Sequence, residues 1–124
     1  MKAAKELVEE ANSHICAILA RDALQLLKNP NTVFIDLRES VELQENGKIP
    51  GSVHAPRGML EFLIDPTSSD HNSVFSSGRH LVFYCASGGR SALAASTAQL
   101  MGLKNVAHID GGFRAWTGAG GPIE

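Results

Sequence analysis

The residues of this sequence best suited to chemistry lie in one segment, Cys85-Ala86-Ser87-Gly88-Gly89-Arg90-Ser91. An apolar run ends at the cysteine, four small residues follow, and the arginine precedes an Ala- and Leu-rich stretch that is typical of a helix. This order predicts a strand, a tight loop and a helix N-terminus, with a thiol at the base of the loop. The segment is therefore a candidate site for cysteine chemistry.

Cysteine reacts as its thiolate, and three features of the segment favour that anion. A helix N-terminus offers partial positive charge and free N–H groups. Ser87, Gly88 and Gly89 are small enough for backbone N–H groups to curl inward as an anion-binding nest. Arg90 adds a full positive charge and a planar guanidinium suited to an oxyanion. The simpler alternative is a buried core thiol, which is our interpretation of the second cysteine, Cys16, because it has no such surroundings.

Two kinds of chemistry use a cysteine in an anion-binding loop: phosphoryl transfer through a phosphocysteine and sulfur transfer through a cysteine persulfide. A phosphate group needs a wider loop, with five residues between the cysteine and the arginine. Here four residues separate Cys85 from Arg90, and this tighter loop suits one extra sulfur atom. The spacing favours sulfur transfer. Two alternatives stay open: a cysteine-dependent phosphatase or arsenate reductase, and a non-enzymatic persulfide carrier or sensor that docks on a partner protein.

Composition limits the classes of protein to which the chain can belong. It has 124 residues, 44% of them hydrophobic, and a net charge of −2 with both signs mixed along the chain. No apolar run approaches the ~20 residues that span a bilayer, and no basic patch is typical of nucleic-acid binding. We therefore expect no membrane or nucleic-acid partner. Because no signal peptide is recognisable and no Cys/His cluster has zinc spacing, we expect a cytoplasmic protein without a metal.

Short apolar runs alternate with helical patterns along the chain, which predicts an α/β domain with a mostly parallel sheet of about five strands. The expected strands cover residues 14–18, 32–37, 53–56, 80–84 and 106–109, and the main helices cover 1–12, 21–28, 40–45, 58–63 and 91–101. The polar stretch 65–73 is expected to be a surface loop. Ligands of such sheets bind at the carboxyl ends of the strands, where the Cys85 loop lies.

The Cys85–Ser91 segment resembles the active-site loop of the single-domain rhodaneses, a family of sulfurtransferases. Three further motifs resemble those of the family: Phe34–Glu39, the Gly-x-Ile-Pro-Gly-Ser-x-His pattern in residues 47–56, and the Gly-Gly-x-x-Ala-Trp pattern in residues 110–116. Together they cover about residues 14–117 in the order of the family. The resemblance implies a three-layer rhodanese-like domain at 14–124, preceded by an N-terminal helical extension at 1–13.

The resemblance also implies a mechanism. The Cys85 thiolate takes the outer sulfur of thiosulfate or a similar donor, sulfite leaves, and cyanide or a thiol acceptor then takes the sulfur from the Cys85 persulfide. The acceptor can also be a protein thiol. Arg90 would hold the oxyanion end of the donor, and no organic cofactor or metal is needed. The residues expected to bind the substrate are Ala86, Ser87, Gly88, Gly89, Arg90 and Ser91.

Ala86 departs from the pattern of those thiosulfate-specific members that carry a basic residue directly after the cysteine. We therefore expect Arg57 to supply charge at the mouth of the pocket and Met59 to line it. The simpler alternatives are a surface arginine and a core methionine. Asp36 and Arg38 are predicted to brace neighbouring loops through hydrogen bonds and a salt bridge, without a direct role in catalysis.

Overall fold

The computed structural model describes residues 1–124 and forms one five-stranded sheet flanked by six helices. The strands are β1 (Ala17–Ile18), β2 (Thr32–Asp36), β3 (Val53–His54), β4 (His80–Tyr84) and β5 (Val106–Ile109). The α-helices are α1 (Ala4–Asn12), α2 (Ala20–Leu26), α3 (Ser40–Asn46), α4 (Leu60–Ile64), α5 (Gly89–Leu100) and α6 (Gly112–Gly118). Two 3₁₀ turns cover Arg57–Met59 and Ser73–Ser76. The strand order is β1-β5-β4-β2-β3 and every neighbouring pair is parallel, so the predicted fold class is confirmed.

The central strand β2 explains why the fold has three layers. All five of its residues are buried, because helices cover both faces of the sheet and successive side chains point to opposite faces. Ile35 belongs to the core that includes Ala94 and Ala95 of α5. Phe34 points the other way and meets Trp116 of α6 edge to face, with the ring centroids 5.5 Å apart. Each face therefore has its own apolar core.

Helix α5 begins at Gly89, two residues before the start expected from the sequence. Gly88 immediately before it has a φ of 112°, a left-handed conformation that glycine adopts at no steric cost. This turn allows the helix to begin within the Cys85 loop. The free N–H groups of its first turn therefore lie beside the cysteine.

Helix α1 packs along α5, as Ala11 illustrates with only 3% of its surface exposed. Directly after α1, the His14 ring nitrogen Nε2 lies 2.8 Å from the hydroxyl of Ser96 on α5. The N-terminal helix predicted from the sequence is thus present, and it is fixed to the helix that carries the cysteine loop. The interpretation of Cys16 as a buried core thiol is wrong, because this residue lies exposed just before the short strand β1. None of the helices combines the length and apolar character needed to cross a bilayer.

Candidate active site

Cys85 follows the last residue of β4, at the carboxyl edge of the sheet, and only 1% of its surface is exposed. Its Sγ accepts hydrogen bonds from the backbone N–H groups of Gly88 at 3.1 Å and Ser91 at 3.4 Å. The hydroxyl of Ser91 lies 3.6 Å from the same sulfur. Donors on one side of a sulfur atom favour its anion. The loop and the first turn of α5 therefore form a compact nest around one sulfur.

The turn between β5 and α6 holds the beginning of this loop in place. The N–H of Phe113 donates to the carbonyl of Cys85 at 2.8 Å, and the N–H of Arg114 donates to the carbonyl of Ala86 at 3.1 Å. Gly112 permits this close approach, since a Cβ at that position would lie 2.6 Å from the Cys85 carbonyl oxygen. Its φ of 61° is also in the left-handed region. The paired glycines of the 110–116 motif thus serve the cysteine loop directly.

Arg90 is already occupied by a carboxylate within the chain. Its guanidinium makes two hydrogen bonds, of 2.8 and 2.9 Å, to the carboxylate of Glu42 on α3. The hydrogen bonds from Arg90 lower the pKa of Glu42 to about 2, although partial burial opposes this shift. Glu42 in turn raises the pKa of Arg90 above its usual value. The structure thus places Arg90 as an anchor between α3 and the cysteine loop, and its predicted role in binding a donor oxyanion stays a prediction.

Asp36 and Arg38 form a buried salt bridge below the mouth of the site, with 2.8 Å between Nη2 and Oδ2. Arg38 also donates to the Gly47 carbonyl at 2.7 Å and stacks over the Phe113 ring at 4.3 Å from its centroid. The hydroxyl of Tyr84 donates to Asp36 at 2.7 Å, and burial, followed by the nearby Asp36 charge, raises the pKa of Tyr84. These contacts tie the segments after β2, β4 and β5 together.

A pocket of about 340 Å³ opens beside the cysteine loop. Its lining residues are Arg38, Glu42, Asn46, Ala86, Phe113, Arg114, Thr117 and Ile123. The charges of Arg38 and Glu42 are matched by Asp36 and Arg90, whereas Arg114 makes no salt bridge. Arg114 therefore supplies the uncompensated positive charge of the pocket.

Arg57 and Met59, which were expected at the mouth, do not line this pocket. The Arg57 guanidinium instead pairs with Glu61 at 3.0 Å and approaches the hydroxyl of Thr97 at 3.4 Å. Met59 belongs to the same 3₁₀ turn as Arg57 and is 38% exposed, so it is not a core residue. Their proposed contact with a substrate stays a prediction that this pocket does not support.

A chain of polar side chains leads away from the cysteine into the protein. The Ser91 hydroxyl lies 2.9 Å from Nδ1 of His108, and His108 Nε2 lies 3.1 Å from Oδ1 of Asn12 at the end of α1. Only 1% of the surface of His108 is exposed. Burial lowers the pKa of His108, which the charge of Asp110 partly offsets. His108 is therefore neutral near pH 7.

Residues 19–119 match the family described as Rhodanese-like domain. The chain belongs to the rhodanese-like domain family. It is 32% identical over 101 residues to the mouse thiosulfate sulfurtransferase/rhodanese-like domain-containing protein 3, a match that covers 77% of this chain and 64% of the mouse protein. It is 33% identical over 98 residues to the thiosulfate:glutathione sulfurtransferase of Saccharomyces cerevisiae, a match that covers 75% of this chain and 70% of the yeast protein.

Among solved structures, this rhodanese-like domain is similar to a protein of unknown function from Rhodopseudomonas palustris, described as a possible tyrosine phosphatase. That likeness has 52% sequence identity and a TM-score of 0.97, and it covers 100% of this chain and 96% of the other. The family and the named relatives support sulfur transfer as the general chemistry.

The structure adds four side chains to the rhodanese-like site that the sequence did not indicate as functional: Asn12, Glu42, His108 and Arg114. His108 carried a signal, because a polar residue inside an otherwise apolar strand must find a partner. Asn12 and Glu42 lie on helical segments rich in polar residues and carried none. Arg114 lies within the 110–116 motif, but nothing in its sequence context marked it as a ligand of the site. No group of three or more His, Cys, Asp or Glu side chains is arranged to hold a metal ion.

Proposed function

We propose that this protein is a thiosulfate sulfurtransferase that works through a Cys85 persulfide. The observation that carries the proposal is the sulfur nest: two backbone N–H groups at 3.1 and 3.4 Å converge on a single Sγ atom. A thiolate held in this way is stabilised but remains a nucleophile. The general sulfur-transfer chemistry of the family fits this geometry.

In the first half-reaction, the Cys85 thiolate attacks the outer sulfur of thiosulfate. An S–S bond forms to Cys85, the S–S bond of thiosulfate breaks, and its electron pair leaves with sulfite. The N–H groups of Gly88 and Ser91 remain in position to stabilise negative charge on Sγ.

In the second half-reaction, cyanide or a thiolate attacks the outer sulfur of the persulfide. The bond between the two sulfurs breaks, the product is thiocyanate or a new persulfide, and Cys85 returns as a thiolate. The nest stabilises this leaving thiolate as it did the original nucleophile, so the same donors serve both steps. The acceptor class includes small thiols and an exposed thiol of a partner protein.

Arg114 supports an anionic donor. Ala86 provides no charge after the cysteine, and Arg90 and Arg38 already face carboxylates. Arg114 lines the pocket next to Ala86 and makes no salt bridge. We propose that its guanidinium receives the sulfonate oxygens of thiosulfate, a group that arginine binds well.

A phosphatase is the second candidate, because the Rhodopseudomonas protein that is 52% identical is described as a possible tyrosine phosphatase. Against it, four residues separate Cys85 from Arg90, and the Arg90 guanidinium that a phosphate would need is bound to Glu42. A persulfide carrier or sensor that docks on a partner is the third candidate, and it shares the first half-reaction.

We also propose that residues 14–124 are the functional domain and that residues 1–13 extend it. Both cysteines are free thiols, and Cys85 must stay reduced for the chemistry to start. We therefore expect a reducing compartment such as the cytoplasm.

Turnover assays test this function. We expect the wild-type protein to produce thiocyanate from thiosulfate and cyanide, and Cys85→Ser to produce none. Parallel assays use 3-mercaptopyruvate and a glutathione persulfide as donors, and an aryl phosphate as the phosphatase substrate. Cys85-dependent hydrolysis of the aryl phosphate without sulfur transfer would replace the proposal with the second candidate. Slow turnover with every small acceptor, but fast transfer to one protein thiol, would favour the carrier.

A further inference from the structure

We propose that Ser91, His108 and Asn12 form a proton relay that takes the proton of the Cys85 thiol and returns it. This inference deepens the proposed function, because a thiol must lose its proton before it can attack a sulfur donor. The relay connects the cysteine to helix α1, which lies outside the residues 19–119 matched to the family. It makes His108 and Asn12 positioning residues that act through Ser91.

The hydrogen-bond partners determine which nitrogen of His108 carries the proton. The Oδ1 atom of Asn12 can only accept, so Nε2 of His108, at 3.1 Å, must donate. In the neutral ring Nδ1 is then unprotonated and accepts the hydroxyl proton of Ser91 over 2.9 Å, a shorter contact than the 3.2 Å from the same hydroxyl to the Gly88 carbonyl. The oxygen of Ser91 keeps a lone pair for the S–H of Cys85, 3.6 Å away. In the resting state all of these groups are therefore neutral. Each donates a hydrogen bond to the next, from Cys85 through Ser91 and His108 to Asn12.

The same atoms also satisfy the charged state. When the S–H bond breaks, the proton passes to the Ser91 oxygen while the Ser91 proton passes to Nδ1. The products are a thiolate and an imidazolium, with both ring N–H groups bonded, one to Ser91 and one to Asn12. The Ser91 hydroxyl then donates to the sulfur. No hydrogen-bond partner has to change, and the only contact that must shorten is the 3.6 Å separation of Sγ and the Ser91 oxygen, so the transfer requires little reorganisation.

Two nearby charges oppose the cost of burying this ion pair. Arg90 and Cys85 are close enough to interact electrostatically, and the charge of Asp110 partly offsets the lowering of the His108 pKa by burial. The strand neighbours of His108 in register, Ala17 on β1 and Phe83 on β4, carry no charge. Asn12 is the residue of α1 that contacts the ring, and it is uncharged. Changing Asn12 therefore changes the charge beside the imidazole without disturbing another ion pair.

The pH profile of Cys85 alkylation tests the relay without any sulfur donor. Iodoacetamide reacts with the thiolate, and a Cys16→Ser background removes the exposed second thiol. We expect His108→Asn and Ser91→Ala to move the midpoint of the profile upward by about one pH unit, which makes alkylation about tenfold slower at pH values below both midpoints. Coincident profiles for the parent and His108→Asn would overturn the relay.

Two substitutions of the exposed Asn12 separate a relay from a merely structural contact. Asn12→Ala removes the acceptor of the Nε2 proton and moves the midpoint upward. Asn12→Asp places a carboxylate beside the imidazolium, stabilises it and moves the midpoint downward. In the Asn12→Asp/His108→Asn double variant no imidazolium can form, so the new carboxylate only repels the Cys85 thiolate and the midpoint rises. Equal shifts for Asn12→Ala and Asn12→Asp would overturn the proposal, even if His108→Asn did not fold. If the variants shift the alkylation midpoint as expected but Cys85 takes up no sulfur from a donor, the proposed function is contradicted and the relay stands.

Discussion

Glu42 on α3 holds Arg90, in the first turn of α5, through two parallel hydrogen bonds of 2.8 and 2.9 Å. Both side chains are partly exposed, at 27% for Glu42 and 37% for Arg90, so the direct contribution of the pair to stability is modest. Its structural effect is larger, because Arg90 is the residue that closes the cysteine loop. The pair therefore fixes the end of the loop, whereas the turn at Gly112 holds its beginning.

Glu42→Gln should lower the kcat/KM for thiosulfate by about tenfold, while it costs about 1 kcal/mol of stability or less. The charge of Arg90 is retained, but its bidentate anchor is lost and the nest becomes less ordered. Steady-state kinetics and urea unfolding measure the two effects. A lower KM in this variant would contradict the role of Glu42 as an anchor. It would show instead that Glu42 competes with the donor for Arg90, and that Arg90 binds the donor oxyanion as the sequence predicted.

The fold and the catalytic loop could be predicted from the sequence because their signals are local. An apolar run, a cysteine, small residues and an arginine within Val82–Ser91 are enough to indicate the strand, the loop and the helix. The partner of Arg90 could not be predicted, since Glu42 is 48 residues away and is one of two glutamates on a polar helix. The same holds for Asn12, which is 96 residues from His108. Arg114 is likewise distant in sequence from Ala86, and only the folded chain brings α6 against the cysteine loop, so that both residues line the pocket.

The stability supplied by the Glu42–Arg90 pair should depend on pH in the acid range. The pKa of Glu42 is lowered from 4.5 to about 2 by its hydrogen bonds to Arg90. The pair's contribution is therefore fully present above the unfolded-state value and is lost as the pH falls through the folded-state value. Urea unfolding of the wild type and Glu42→Gln at a series of pH values measures it. Their difference should be constant above about pH 5.5 and shrink toward pH 2; a difference that grew on acidification would contradict the ion pair.

Gly112→Ala should destabilise the protein by roughly 1–3 kcal/mol or more and strongly reduce activity. The new Cβ would lie 2.6 Å from the Cys85 carbonyl oxygen, at a φ of 61° that alanine rarely adopts. Gly118→Ala on the same helix is the matched control, since a Cβ there meets nothing within 4 Å. Thermal unfolding and turnover of both variants measure the effect. Equal behaviour of the two variants would show that the turn does not press on the cysteine loop.

Arg114→Ala should raise the KM for thiosulfate about tenfold and leave the fold unchanged, because it removes a charged hydrogen-bond donor from the pocket. Arg21→Ala, on the exposed surface of α2, controls for the change in net charge. The KM of the wild type should also rise with salt concentration more steeply than that of Arg114→Ala. If both arginine variants had the wild-type KM, the donor's charge would be received elsewhere.

Ala86→Arg offers the converse test in the Arg114→Ala background. Ala86 lines the same pocket, so an arginine there should restore part of the lost affinity for thiosulfate. The expected result is a KM for thiosulfate lower than that of Arg114→Ala. A further rise in KM would show that the side chain at position 86 does not face the donor.

The central claim is that Cys85 receives one sulfur atom, and intact mass spectrometry after incubation with thiosulfate tests it most directly. We predict that the wild type and Cys16→Ser each gain the mass of one sulfur atom, that Cys85→Ser gains none, and that cyanide or a thiol removes the adduct. A folded wild-type protein that gains no sulfur would contradict the account. So would a Cys85→Ser variant that gains the same sulfur adduct as the wild type.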